Sequence, residues 1–486
     1  MKTTIAFFHA FLLTASLASA EDGSLNAGLI ERLRSGYEMD AGDRARFNAV
    51  TNASIETLSL NRALVSGQDG HFSHRINTKG VTDQKSSGRC WMFAGLNVMR
   101  PKVIADRKLA DFAFSTAYLQ FWDKMEKANL YLEYLIELRD ADFLDRDWES
   151  VNEWTLSDGG WWNYVTGLIE KYGVVPEDVM PETHSSENTS TMNEVLERLV
   201  RAEASRMLAA YRNGATPANL RAAKEDTLAR VYRFLCLNLG EPPAEFEWRY
   251  EAKPKKDAKE EAEGTEEEGD EADVENKDLQ AWSTFTPKSF YEEFVAVPLR
   301  DYVCLYNDPK QAFGKHYRFE RTTNMAGTDD MHFVNIESNA MRAIAAASIV
   351  AGEPVWFASN VSVDQSKEHG LMADRLFDYD TLFGIDTKMS KADRTRFLAG
   401  ASNHAMVFMG VDLRDGAPQK WLVENSWGSK VGNDGVWTML NDWFDENVYT
   451  IIVNRAHVPA DILTTFDQPA KPLPAWYPGA AGIPGN

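Results

Sequence analysis

Cysteine is scarce, with Cys90, Cys236 and Cys304 the only three in a chain of 486 residues. Three thiols cannot form a disulfide framework, so the fold must rest on an apolar core, and the chain is long enough to bury a large one. Spacing does not decide whether Cys236 and Cys304 pair or sit apart as small buried hydrophobes. Positive charge is short too: 51 Lys and Arg stand against 73 Asp and Glu, a formal net charge of -22. Without a basic stripe there is nothing to neutralise a phosphate backbone, which argues against a nucleic-acid partner. The apolar stretch at residues 5–17 is too short for a comfortable transmembrane helix. Flanked by Lys2 and by Ala18-Ser19-Ala20, it reads as a secretory signal over residues 1–20. No membrane association is expected after its removal. Metal-ligand clusters are also missing, because His71 and His74 lack a third ligand nearby and read as loop histidines.

What is present is organised around residues 84–94, Gln-Lys-Ser-Ser-Gly-Arg-Cys-Trp-Met-Phe-Ala. Ser86, Ser87 and Gly88 are cap and turn formers, and the apolar run after them predicts a buried helix that stops at Pro101. Cys90 then sits at a helix N-terminus, where unpaired N–H groups and the dipole favour a thiolate, with a pKa in the range of about 3.5–7.5. Asn403-His404-Ala405 heads an apolar strand, and Glu424-Asn425-Ser426-Trp427-Gly428 ends a second one. A thiol, an imidazole and an orienting amide are the parts of nucleophilic acyl transfer. Gln84 can aim an amide N–H at a developing oxyanion.

The remaining chain reads in order as follows. Residues 21–52 have the spacing of a surface helix pair, and 112–139 that of a long helix with a broad aromatic face. Gly159-Gly160 then opens an aromatic helix that ends at Gly173, and side-chain-free glycines let another backbone come close. A plain turn is the competing reading for that pair. Residues 190–239 predict helix, and the Glu-rich stretch 251–276 is too polar to fold on its own, so it reads as a disordered acidic loop. It is either solvated or a docking segment for a basic partner. After Tyr302 apolar strands dominate, at 302–306, 331–336, 353–358, 404–410, 421–425 and 449–453, with an Ala-rich helix at 339–351. A Pro-rich extended arm, about 466–486, closes the chain.

The Gln…Cys-Trp, Asn-His-Ala and Glu-Asn-Ser-Trp-Gly signatures, in that order, resemble the papain-like cysteine peptidases, and Gln-Lys-Ser-Ser-Gly-Arg-Cys-Trp resembles the bleomycin hydrolase and aminopeptidase C family in particular. The resemblance implies an α+β, papain-like two-lobed fold, with a helical lobe carrying Cys90 and a β-rich lobe carrying His404 and Asn425. Residues 21–486 would form the peptidase domain, with a helical insertion at about 190–300. That insertion accounts for a Cys90-to-His404 separation well beyond the roughly 130–150 residues usual in papain-like chains. It further implies Cys90 as nucleophile, His404 as base, Asn425 as its orienter and Gln84 at the oxyanion. Gly159 and Gly160 would hold the substrate main chain, and the C-terminal arm would lie in the cleft, its last carboxylate, here that of Asn486, meeting the substrate's free amine. Trp427 is expected to cover the His404–Asn425 contact. A homohexamer and a cofactor-free, metal-free cysteine aminopeptidase acting on peptides follow from the same resemblance. The signal segment makes this chain exported, periplasmic or secreted. An oligopeptidase or endopeptidase, and a non-catalytic exported binding protein on the same fold, are the alternatives.

Overall fold

The computed structural model describes residues 23–78, 80–153, 156–252 and 279–480. The expected signal, nearly all of the acidic loop and Asn486 lie outside the described residues. Of the loop only Glu251 and Ala252 are described, and both make strand-like bridges, to Leu279 and Leu109.

Two units emerge. The smaller comprises residues up to Leu60 together with Tyr379–Asp386. Its helices Ala27–Ser35 and Ala41–Val50 are capped by Asn26 and Asp40 but bury no residue. The capping side chains, rather than packing, define these two helices.

The larger unit is helical before Tyr302 and strand-rich after it. A sheet of twelve strands runs in the order Lys471–Leu473, Lys315–Phe319, His332–Asn335, Tyr302–Tyr306, Val448–Asn454, Val355–Ser359, His404–Arg414, Ala417–Glu424, Val436–Leu440, Leu371–Met372 and Gln365–Ser366, with His74–Arg75 pairing onto His404–Arg414. The central strands are apolar on both faces. Ala405, Val407 and Met409 turn into one core with Trp356 and Ala358, whereas Met406 and Phe408 join the other with Phe357. Period-two alternation between two buried faces explains why these runs read as continuously hydrophobic. The second face is covered by the helix Ser338–Val350 and by Trp443 and Phe444.

Against the first face packs the helix Cys90–Arg107. It does not stop at Pro101, as the sequence predicted, but runs through it. Val103 and Ile104, both buried, hold the turn beyond. Tertiary packing thus outweighs the single hydrogen bond that a proline removes. Beside it lie Thr116–Glu137 and Trp162–Tyr172, the latter closed by Gly173 at φ +76°. The stretch expected to be one helical region is two antiparallel partners, Thr189–Arg212 and Pro217–Leu239, packed on Thr116–Glu137. All three cysteines are free, with Cys304 buried in the sheet and Cys236 half-buried. His74 is drawn into the sheet edge rather than a loop, and among the described residues no metal-ligating cluster occurs.

Candidate active site

The helix Cys90–Arg107 begins on Arg89, which makes no side-chain cap. The expected cap formers do something else. Ser87 Oγ donates to the Gln84 carbonyl at 2.6 Å, and Gln84 Nε2 donates to the Ser87 carbonyl at 2.6 Å, closing a tight turn before the helix. The first-turn N–H groups are therefore not consumed by a capping side chain. The backbone N–H groups of Ala405, Trp91 and Cys90 lie against the Cys90 sulfur. Since Ala405 follows His404, this places the thiol beside the start of the strand His404–Arg414.

His404 Nε2 lies 2.8 Å from Asn425 Oδ1, which also accepts from the Ser426 N–H at 2.8 Å. An amide oxygen can only accept, so Nε2 carries the proton and Nδ1 is left with its lone pair. The Trp427 ring stands 4.8 Å from the imidazole, centroid to centroid, and Lys367 Nζ lies 4.8 Å from the centre of the same indole. The pair is thus covered by an aromatic plane, as the motif suggested.

Gln84 is joined to this group from the other side. Its N–H donates to the Ser426 carbonyl at 2.8 Å, and its Oε1 accepts from Ser426 Oγ at 2.6 Å. With Oε1 occupied by a hydroxyl and one Nε2 proton on Ser87, the amide has a fixed orientation and one remaining N–H. Gln84, His404 and Asn425 are joined through the Asn-Ser-Trp segment, whose serine the motif contained but whose task it did not reveal, while Cys90 meets the group at the Ala405 backbone.

Water exclusion dominates the electrostatics. Burial pushes the Cys90 thiol up to about 12, outweighing the N–H groups around the sulfur, and pushes the His404 imidazole down to about 4, outweighing the Asn425 contact. This corrects the expected depressed thiol. A helix end and three N–H groups favour the anion, but removing it from water costs more. Both shifts run toward the neutral thiol and the neutral imidazole.

The two glycines form a second wall. Trp91 Nε1 donates to the Asp158 carbonyl at 2.6 Å, and a Cβ on Gly160 would stand 2.6 Å from Trp91 Cε2, so only glycine fits there. Below, Lys127 Nζ donates to the carbonyls of Ser157 and Gly159 at 2.8 and 2.7 Å, and Lys124 Nζ to that of Leu156 at 2.7 Å. Each lysine is paired, with Asp123 at 2.8 Å and Asp158 at 2.7 Å. Asp158 also accepts from the Gly88 N–H at 3.0 Å and from Asn193 Nδ2 at 2.8 Å. Neither lysine was visible as functional in the sequence, where both belong to a helical stripe.

The arm reaches the same place. Trp161 Nε1, next to Gly160, donates to the Ala480 carbonyl at 3.4 Å, and Ala480 also lines a cavity of about 100 Å³ together with Gly159, Lys127, Tyr131, Tyr164 and Arg321.

The chain matches the Peptidase C1-like family over residues 24–267 and 271–480. It is 34% identical to aminopeptidase C of Streptococcus thermophilus, an alignment covering 94% of this chain and 98% of that one. It is 33% identical to bleomycin hydrolase of Homo sapiens, over 94% of this chain and 97% of that one. The crystal structure of PepW from Lactobacillus rhamnosis superposes with a TM-score of 0.86 at 32% identity, covering 94% of this chain and 99% of PepW.

Proposed function

Because the chain belongs to the Peptidase C1-like family and is a cysteine peptidase, we propose that it is an aminopeptidase removing N-terminal residues from peptides through Cys90, His404 and Asn425. The fold it implies is the papain-like pair of lobes, residues 21–486 forming the peptidase domain with its helical insertion.

In this mechanism Cys90 Sγ attacks the scissile carbonyl carbon while its proton passes to His404 Nδ1, the nitrogen that the Asn425 contact leaves as acceptor. Both groups start neutral, so proton transfer and attack proceed together and no isolated charge is buried. The carbonyl electron pair moves onto oxygen, held by the Cys90 N–H and the free N–H of Gln84. Collapse expels the amine, which takes the proton back from His404, and leaves a thioester. Water, deprotonated by the same imidazole, then attacks the thioester, releases the acid and regenerates the thiol. The Gly159 carbonyl is engaged by Lys127, which leaves Gly160 the better placed of the two to pair with a substrate main chain.

The observation that carries the exopeptidase assignment is the seat of the arm, with Ala480 bonded to Trp161 directly after Gly160. A peptide laid along Gly160 would meet the arm and end there. Assembly as a homohexamer and export by the signal at residues 1–20 complete the proposal.

Rates on a peptide with a free α-amine and on its N-acetylated twin test it. Faster cleavage of the free amine is expected, and faster cleavage of the acetylated twin refutes the aminopeptidase reading in favour of an endopeptidase. Labelling by an epoxysuccinyl reagent, lost in Cys90→Ala, is the expected signature of the nucleophile.

A further inference from the structure

We propose that Asp308 and Tyr477 form a latch that fixes the C-terminal arm in the cleft, and that these two residues are determinants of the preference for chain ends. The inference rests on the aminopeptidase reading and deepens it.

The arm is held in two ways. Its first part, Lys471–Leu473, adds to the sheet edge parallel to Lys315–Phe319, and the Glu320 N–H donates to the Leu473 carbonyl at 2.9 Å. Backbone pairing with the sheet ends there. Past Pro474 the backbone turns on itself, with Tyr477 N–H on the Pro474 carbonyl and Ala480 N–H on the Tyr477 carbonyl, both at 2.8 Å. Turns of this kind hold their own shape but do not attach a segment to the body, so attachment falls to side chains.

Tyr477 supplies it. Its hydroxyl donates to Asp308 Oδ2 at 2.5 Å and accepts from Gln311 Nε2 at 3.1 Å, and its ring stacks on Phe319 with centroids 5.8 Å apart. The receptor is built rather than incidental. Asp308 is 3% exposed, its other oxygen accepts from the Lys310 N–H at 2.8 Å, and its own N–H is bound by Asn335 Oδ1 at 2.8 Å. Were Tyr477 to leave, a buried carboxylate oxygen would lose its charge-assisted partner, and such an orphan is costly. Burial, and then the carboxylate itself, push the Tyr477 phenol well above its usual range, so it stays a donor at any pH the enzyme meets.

The latch lies three residues before Ala480, the residue bonded to Trp161. Trp161 and the Arg146 guanidinium over Trp476 also hold this segment, but the Tyr477 hydroxyl is the contact made to a buried carboxylate. The seat of Ala480 beside Trp161 therefore depends in part on one hydroxyl and one carboxylate.

Tyr477→Phe keeps the ring and removes the donor. Asp308→Asn keeps an acceptor but not its charge. The reading is the ratio of kcat/KM on an N-acetylated peptide to that on its free-amine twin, with epoxysuccinyl labelling of Cys90 reporting that each variant is folded. Tyr477→Phe is expected to raise the ratio by about tenfold and Asp308→Asn by about twofold to threefold, the usual difference between losing a charge-assisted hydrogen bond and neutralising it. A ratio unchanged from the parent in whichever variant labels normally overturns the latch while leaving the aminopeptidase reading in place. A parent enzyme that itself prefers the acetylated peptide overturns that reading, and the latch with it.

Discussion

Glu424→Gln should flatten part of the pH dependence of stability. Glu424 is 1% exposed at the end of the strand Ala417–Glu424, just before Asn425, with Thr78 Oγ1 donating to one oxygen at 3.0 Å and Arg100 Nη1 only 3.8 Å from the other. Burial raises its carboxyl to about 7, and the Arg100 charge and the Thr78 hydroxyl offset only part of that rise. A carboxyl raised on folding is one whose neutral form the fold prefers. Its favourable contribution is complete below the unfolded value of about 4.3 and is lost as pH climbs through the folded one. Between pH 5 and 8 that loss amounts to about 2.5 kcal/mol, taking 1.36 kcal/mol per unit of separation and the fraction ionised at each end. Glutamine cannot ionise yet still offers Thr78 an oxygen. Urea midpoints of parent and variant at pH 5, 6, 7 and 8 give the two slopes. The difference between parent and variant stabilities should widen in the variant's favour with rising pH. Parallel curves would refute the assignment of a buried, neutral carboxyl beside Asn425.

Three further outcomes are expected. Asn425→Ala removes the acceptor of the His404 Nε2 proton and should lower kcat by about tenfold to a hundredfold, roughly 1–3 kcal/mol, while epoxysuccinyl labelling of Cys90 stays detectable; unchanged turnover contradicts the orienting role. Gly160→Ala would drive a Cβ to 2.6 Å from Trp91 Cε2, so KM should rise and the melting temperature fall by the equivalent of about 1–3 kcal/mol, typical of overpacking; a variant with parental KM would show that Gly160 does not border the substrate. Lys367→Gln removes a cation held over the Trp427 indole. Burial is the main force lowering His404, and Lys367 adds to it, so the acid limb of kcat/KM should move to higher pH, and a limb that stays in place excludes that coupling.

Much of this molecule could be read from local sequence. His404 and Asn425 head and end strands because the apolar runs that follow and precede them leave no other choice. The turn at Gln84–Arg89 was equally legible, since it depends on residues adjacent in the chain, whereas what crowds Gly160 is the indole of Trp91, which adjacency did not name. The failures share one cause. Pro101 did not end its helix because Val103 and Ile104 are buried by partners that the local sequence does not name. The Cys90 thiol is raised, not lowered, because burial at the junction with strand His404–Arg414 depends on residues more than three hundred positions away. Nothing in the local sequence singles out Asp308, Lys124 or Lys127. Two of their partners, Tyr477 and Asp158, become neighbours only when the sheet and the helices close, whereas Asp123 lies one turn before Lys127 on the same helix.

The charged groups beneath Gly159 and Gly160 are poorly explained as sources of stability. Lys124 and Asp158 are both nearly inaccessible, and desolvating two ions costs about as much as their attraction returns, so well-packed apolar residues would serve a core at least as well. What apolar residues cannot do is bind carbonyl oxygens. Lys124 and Lys127 together hold the carbonyls of Leu156, Ser157 and Gly159, while Asp158 binds the N–H of Gly88, two residues before the thiol. One buried network thus sets the positions of the glycine wall and of the turn that carries Cys90. The distance between the Cys90 sulfur and the glycine wall is then fixed in advance, and for the proposed attack an aligned, pre-ordered geometry of this kind is where much of an enzyme's rate advantage originates.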